Sequence, residues 1–283
     1  MSGVYGFVMT AFSSALPIVL AALGGLFTES AGSLSVALEG AMLAGAFAAV
    51  SAAASTGSVA LAMLAALLAG SLVGILLGQV STRLRADVFV AGLAANLLVP
   101  ALVALFSAAF FGTQGVVNLP PGIAGSALAF DAMTALAMVG FGLLLWLLHD
   151  ASPLGIRLRA AGERGEAAAA AGLDRDGLRR FAHLVAGGAA GLAGSWLALS
   201  VAAFVPGMSA GRGWIALVAI YLGGRRPLGI VVAGLGFGLL LSLSNRAQSF
   251  ALLPPGLLPA LPYLVTLAVY LFTLWRRSAK TGD

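Results

Sequence analysis

Few side chains in this sequence could do covalent or redox chemistry. Of 283 residues, ten are Asp or Glu, fifteen are Lys or Arg, two are His and none is Cys. Without thiols, disulfides, iron–sulfur clusters and thiolate zinc sites are excluded. His149 and His183 stand alone, with no second ligand at metal-binding spacing and no HExxH. They read as residues at helix ends. No Asp pair at membrane depth and no Ser–His pairing within an apolar run is visible, which argues against an intramembrane hydrolase. The sole lysine, Lys280, follows Ala279, so the Gly-Lys-Ser/Thr of a phosphate-cradling loop is absent and this chain does not hydrolyse ATP. No catalytic residue, metal site or resident cofactor is expected. What the polar residues can do is bind, cap and steer.

The elements that would position them are set by composition. The chain is 60% hydrophobic and only 9% charged, with a mean hydropathy of +1.04. Soluble domains carry about 25% charged residues, so the bilayer must be the main solvent. Apolar runs of about 20 residues, enough to cross ~30 Å of hydrocarbon, recur along the whole length. A β-barrel would require alternation of polar and apolar positions, and "LAMLAALLAGSLVGILLG" has none. The 38 glycines suit helices packed through small-residue faces. The expectation is an all-α, polytopic transmembrane helical bundle forming one transmembrane domain over 1–283. About nine segments are placed, near 5–26, 34–53, 58–78, 88–107, 128–149, 181–204, 212–224, 227–246 and 257–275. The seventh is short, as in a re-entrant or broken helix, which a membrane tolerates only where protein or a watery cavity surrounds it. The N-terminus lacks a basic region and a small-residue cleavage site, and reads as the first helix rather than a removed signal.

Charge is gathered in one place. Residues 155–180, "GIRLRAAGERGEAAAAAGLDRDGLRR", hold six Arg and four acidic residues. Placing the N-terminus outside puts this loop, Arg83, Arg85, Arg225, Arg226, Arg276, Arg277 and Lys280 in the cytoplasm, leaving only Arg212 and Arg246 outside. The net charge of +5 therefore marks cytoplasmic loops in an inner-membrane protein, not a nucleic-acid surface. Residues 111–127, with Pro-Pro-Gly, become an uncharged external loop. Within the charged loop, "GEAAAAAG" predicts a short helix along the membrane surface, with Glu163 and Glu166 in its first turn. Two readings fit it: a docking helix that lets another protein approach closely, or a solvated linker held to anionic lipid by arginines.

Ionisable and amide groups inside apolar spans are rare enough to be candidates each. Glu39 could brace a broken helix, line a pathway, or serve as hydrogen-bonded glue. Asn96, ahead of Pro100, could bond a solute hydroxyl or the carbonyls freed by the proline. "PGMSAGRGW", 206–214, combines glycines, the Ser209 hydroxyl, Arg212 and Trp214, which could stack on a base or sugar face; an interfacial Arg and Trp anchor is the alternative. Asn245, Arg246 and Gln248 read as a solvated helix end. Asp87 and Asp131 read as caps of helix N-termini.

Four stretches carry a resemblance. Gly162, Glu163, Glu166, Ala167, Ala168, Ala171 and Gly172 resemble the coupling-helix pattern Gly-Glu-x-x-Glu-Ala-Ala-x-x-x-Gly of ATP-binding-cassette (ABC) importer permeases in the ribose and branched-chain amino acid group. Residues 28–49, 84–98 and 208–229 are similar, in order, to signatures of its nucleoside and simple-sugar branch. "AGRGWIAL" is the most specific of these. Three departures stand out: Ser35 and Ala37 replace the common Asn and Gly beside the pathway, and Arg164-Gly165 replaces Asn-Pro in the loop.

The resemblance implies a type II-like permease that passes a nucleoside, or a simple sugar, delivered by an extracytoplasmic binding protein. It implies a separate ATPase subunit holding ATP and Mg and docking at the loop of residues 150–180, and a second permease chain, often non-identical in this branch. Ser35, Glu39, Asn96, Ser209, Arg212 and Trp214 would face the pathway. An ion-coupled secondary transporter is the alternative, but it would need carboxylates deep in several helices, and Glu39 is the one clear case.

Overall fold

A computed structural model describes residues 2–119 and 127–249, with side chains placed over 5–119 and 134–246. The described helices run in the order α1 (Ser2–Ser30), α2 (Leu38–Thr56), α3 (Val59–Thr82), α4 (Val88–Phe111), α5 (Ala127–Asp150), α6 (Pro153–Glu163), α7 (Gly165–Ala170), α8 (Arg175–Ser200), α9 (Arg212–Leu222) and α10 (Pro227–Ser249). Two short strands, β1 (Val117–Asn118) and β2 (Ala203–Phe204), pair antiparallel with Val117 opposite Phe204.

Six helices among the described residues are long and apolar enough to cross a membrane: α1, α2, α3, α4, α8 and α10. α5 and α6, bent by 62° at a short break, make a seventh candidate. The molecule is a polytopic helical bundle, as the apolar runs require. The expected segment at 257–275 lies outside the described residues, as do Pro120, Pro121 and the basic residues 276–280. So do the Gln248 and Asp131 side chains. Asp131 lies inside α5 rather than capping it, because the helix already begins at Ala127.

Contacts divide the chain into two compact units, residues 16–234 and residues 1–15 with 235–283. In the smaller, Gly238 packs against Ala11 and Ala15 of α1, and the Arg246 guanidinium lies 4.8 Å from the Phe7 ring centre.

The larger unit is organised around α8, in which every residue from Ala186 to Trp196 is buried. The cause is small residues. Gly70, Gly74 and Gly78 of α3 meet His183, Gly187 and Gly191 of α8, and Gly45 of α2 meets Gly191. A methyl at Gly74 would collide with the His183 carbonyl, and one at Gly45 with the Gly191 backbone. Lipid supplies no hydrophobic drive between helices, so close backbone approach of this kind holds them.

Loops sort into two sets. At one end, Arg180 reaches Thr82, Arg179 reaches Gly32, and Arg225 pairs with Glu29. At the other, β1 pairs with β2, and the Phe47 ring packs edge-on against Phe111 and Phe204. The charged loop, the α1–α2 link and the α9–α10 link thus share one end.

Candidate functional site

The site begins where two helices fail to start normally. α1 stops at Ser30, and Gly32 takes a left-handed turn with φ +69°. Residues 31–37 then run without helix to the start of α2 at Leu38. Ala37 offers no side-chain cap to that helix. Asn96 of α4 caps it instead. Its Oδ1 accepts from the Gly40 N–H at 2.8 Å, and its Nδ2 donates to the Val36 carbonyl at 2.9 Å. Both ends of its amide are therefore engaged by backbone, a use different from either bond expected for it. Ser35 is buried in the same link.

α9 starts from an irregular approach. Residues 205–211 form three successive turns, with Met208, Ala210 and Arg212 N–H groups donating to the carbonyls of Val205, Gly207 and Ser209. Gly207, Ala210 and Gly211 all have positive φ. The free N–H groups of α9 point at Glu39, whose Oε1 accepts from Gly211 N at 2.8 Å and Oε2 from Gly213 N at 2.7 Å. A carboxylate on a helix N-terminus satisfies orphan donors and the helix dipole together. Gly213 must be glycine, since a Cβ there would run into the Glu39 backbone nitrogen. The contact that Glu39 makes is with the start of a neighbouring short helix, which the brace and the hydrogen-bonded glue readings share. The Arg212 guanidinium turns back to the Met208 and Ser209 carbonyls, at 3.0 and 3.3 Å. Ser209 is buried and Trp214 half-buried. The structure thus gathers all six expected pathway residues near the meeting of the α2 and α9 starts.

At the charged end, the loop is two helices, not one. Arg164, at φ −135° and ψ 60°, interrupts them, so Glu163 closes α6 and only Glu166 lies in the first turn of α7. Pro153 at the first helical position after Ser152 was the available signal for α6. In α7, Ala168 is buried while Glu166, Ala167, Ala169 and Ala170 are exposed, as are Ala171 and Gly172 behind it. Gly172 closes the turn with φ +83°.

Contacts that the sequence did not announce tie this end together. Gly162 lies against the backbone of Ser30–Gly32 so closely that a Cβ would strike the Ser30 carbonyl. The Arg179 guanidinium donates to the carbonyls of Gly32 at 2.9 Å and Ala31 at 3.3 Å. Ser30 and Ser33 hydroxyls bond the Nε2 atoms of His149 and His183, at 2.8 and 2.9 Å. Glu29 accepts from the Tyr221 hydroxyl at 3.0 Å and pairs with Arg225 at 2.9 Å. Among the described residues, no three His, Asp or Glu side chains gather to hold a metal.

A cavity of about 550 Å³ lies between α2, α3 and α4, lined by residues such as Phe47, Leu72, Leu76, Leu98 and Phe106. Its lining side chains are all apolar, so it suits hydrocarbon rather than a polar solute.

Against this geometry, comparison with known proteins is decisive for the family. A family model described as "Branched-chain amino acid transport system / permease component" matches residues 7–274. The chain belongs to this permease family. Relatives extend over nearly the full length. The permease is 29% identical to the nucleoside ABC transporter permease protein NupC of Lactococcus lactis subsp. cremoris, over 94% of this chain and 92% of the relative. It is 29% identical to the guanosine ABC transporter permease protein NupQ of Bacillus subtilis, over 95% and 92%. It is also 29% identical to a protein of Haloferax volcanii named provisionally as a glucose ABC transporter permease, TsgC13, over 98% and 94%. No solved structure matches it at a significant level. The permease is therefore an ABC transporter component that crosses the membrane several times.

Proposed function

We propose that the permease forms the pathway of an ABC importer for a nucleoside, received from an extracytoplasmic binding protein and moved by a separate ATPase docked at α7. The observation that carries this reading is full-length likeness to two permeases named for nucleoside and guanosine transport. The geometry supports it: polar groups beside the α2 and α9 starts are sparse, and the Glu39 and Arg212 side chains there are engaged by backbone, which suits a neutral solute that passes with transient contacts. The exposed small-residue face of α7 suits a protein that must approach its backbone. A hexose is the second reading, favoured by the relative named for glucose.

In this assembly a second permease chain completes the pathway, ATP and Mg bind the ATPase, and the loop of residues 150–180, with α6 and α7, faces the cytoplasm of an inner-membrane complex. The test is reconstitution with the genomic-neighbour ATPase, permease and binding protein. ATP-dependent uptake of a labelled nucleoside, competed by other nucleosides but not by hexoses, supports the reading. Uptake by this chain alone on an ion gradient sinks it.

A further inference from the structure

The short helix α9 is held at both ends by one stretch of chain. At its N-terminus, both oxygens of Glu39 accept from the Gly211 and Gly213 N–H groups, at 2.8 and 2.7 Å. At its far end, Glu29 takes the Tyr221 hydroxyl and the Arg225 guanidinium, at 3.0 and 2.9 Å. Between the two carboxylates lies the non-helical link 31–37, and the charged loop grips that link. Gly162 of α6 abuts Ser30–Gly32, the Arg179 guanidinium of α8 donates to two of its carbonyls, and His149 and His183 bond the hydroxyls of Ser30, just before it, and of Ser33 within it.

The α6–α8 end is thus fastened to residues 30–33, and the carboxylates of Glu29 and Glu39, on either side of the link, are fastened to α9. α9 itself is too short to span, and its entry carries Ser209, Arg212 and Trp214 beside the expected pathway. We infer that the α1–α2 link is the transmission joint of this permease and that α9 is the gate it moves, with Glu39 and Glu29 as positioning residues. The inference rests on the proposed docking of an ATPase at α7.

The physical case is one of stiffness. The link is pinned by bonds to backbone carbonyls and by backbone-to-backbone packing at Gly162, so displacement of α6 cannot be absorbed by side-chain rotation there. Glu39 reaches α9 through two charge-assisted bonds to fixed N–H groups, which resist tilting as well as translation. Asn96 clips the Val36 carbonyl and the Gly40 N–H together, so the end of the link and the first turn of α2, which carries Glu39, keep one geometry. Motion at the loop therefore arrives at both ends of α9 together, and the helix shifts as a rigid rod.

The native sequence has no cysteine, so Ala210→Cys, at the exposed turn before α9, gives one thiol. In the complete reconstituted complex, its labelling rate by a maleimide is compared with and without a non-hydrolysable ATP analogue and Mg. The expected change in otherwise unaltered protein is about fivefold, the low end for coupling between distant sites. Glu39→Gln replaces one acceptor by a donor facing an N–H group, and should abolish the nucleotide response while ATPase co-purification persists.

Tyr221→Phe removes one hydroxyl with no loss of packing and should reduce the response at least by half. It serves if Glu39→Gln fails to assemble. Either variant retaining the full response overturns the inference. An unaltered chain that captures no ATPase overturns the docking reading as well, which separates the two failures.

Discussion

At the scale of single residues, Asn96 shows how a membrane protein uses an amide in place of a cap. A helix that begins inside protein exposes N–H groups with no water to satisfy them. Asn96 supplies an acceptor for one such group and a donor for the carbonyl before it. Asn96→Ala leaves both unsatisfied and should lower stability by about 1–3 kcal/mol, visible as a reduced melting temperature in detergent. Asn96→Asp keeps the acceptor for Gly40 and should fall between. An unchanged melting temperature in Asn96→Ala would mean that the α2 start has other support. The rarity of polar residues within spans made Glu39 and Asn96 conspicuous in the sequence. Their partners were not legible, since Gly211 lies 172 positions from Glu39 and no local pattern encodes that pairing. Glu29 and Tyr221 were overlooked for the same reason: each ends an apolar run, where a polar residue needs no special explanation.

At the scale of elements, two contrasts are testable. Gly74 and Gly140 both sit in helices, yet only Gly74 faces another backbone; nothing stands within 4 Å of a methyl at Gly140. Gly140→Ala should be neutral or slightly stabilising through helix propensity. Gly74→Ala should destabilise by about 1–3 kcal/mol or more through overpacking, read as lost monodisperse yield on size exclusion. The second contrast is within α7. Ala168 faces inward and Ala167 outward, so Ala167→Trp or Glu166→Lys should cut ATPase co-purification and nucleotide-driven uptake at least tenfold, or about 1.4 kcal/mol. Ala168→Trp instead disturbs the seating of α7 and should reduce stability. If Ala167→Trp leaves co-purification and uptake intact, α7 is not the docking face.

The helices α1–α4, α8 and α10 were readable because hydrophobic runs of spanning length are an intrinsic property of the chain. The division of the charged loop at Arg164 was less so, since "GERGEA" has two glycines but no proline, and isolated glycines are tolerated within helices as well as at their ends. Gly165 admits the Arg175 guanidinium against its backbone, a tertiary contact that selects the break.

At the scale of the whole molecule, the two loop sets make sidedness a single question. The Arg-bearing loops share one end and the β1–β2 pair marks the other, so labelling one loop from each set fixes both. On the cysteine-free background, Gln114→Cys should react with a membrane-impermeant thiol reagent in intact cells, and Ala167→Cys only after permeabilisation. The reverse pattern would place the charged loop away from ATP and remove the mechanism proposed for it.

The three turns that precede α9 have a consequence of their own. Seven residues, 205–211, join β2 to that helix, and they are folded back on themselves three times. Fully drawn out, they would reach about 23–25 Å. The chain therefore carries a reserve of slack at this point, enough for the displacement of α9 inferred above to leave the β1–β2 pair fastened.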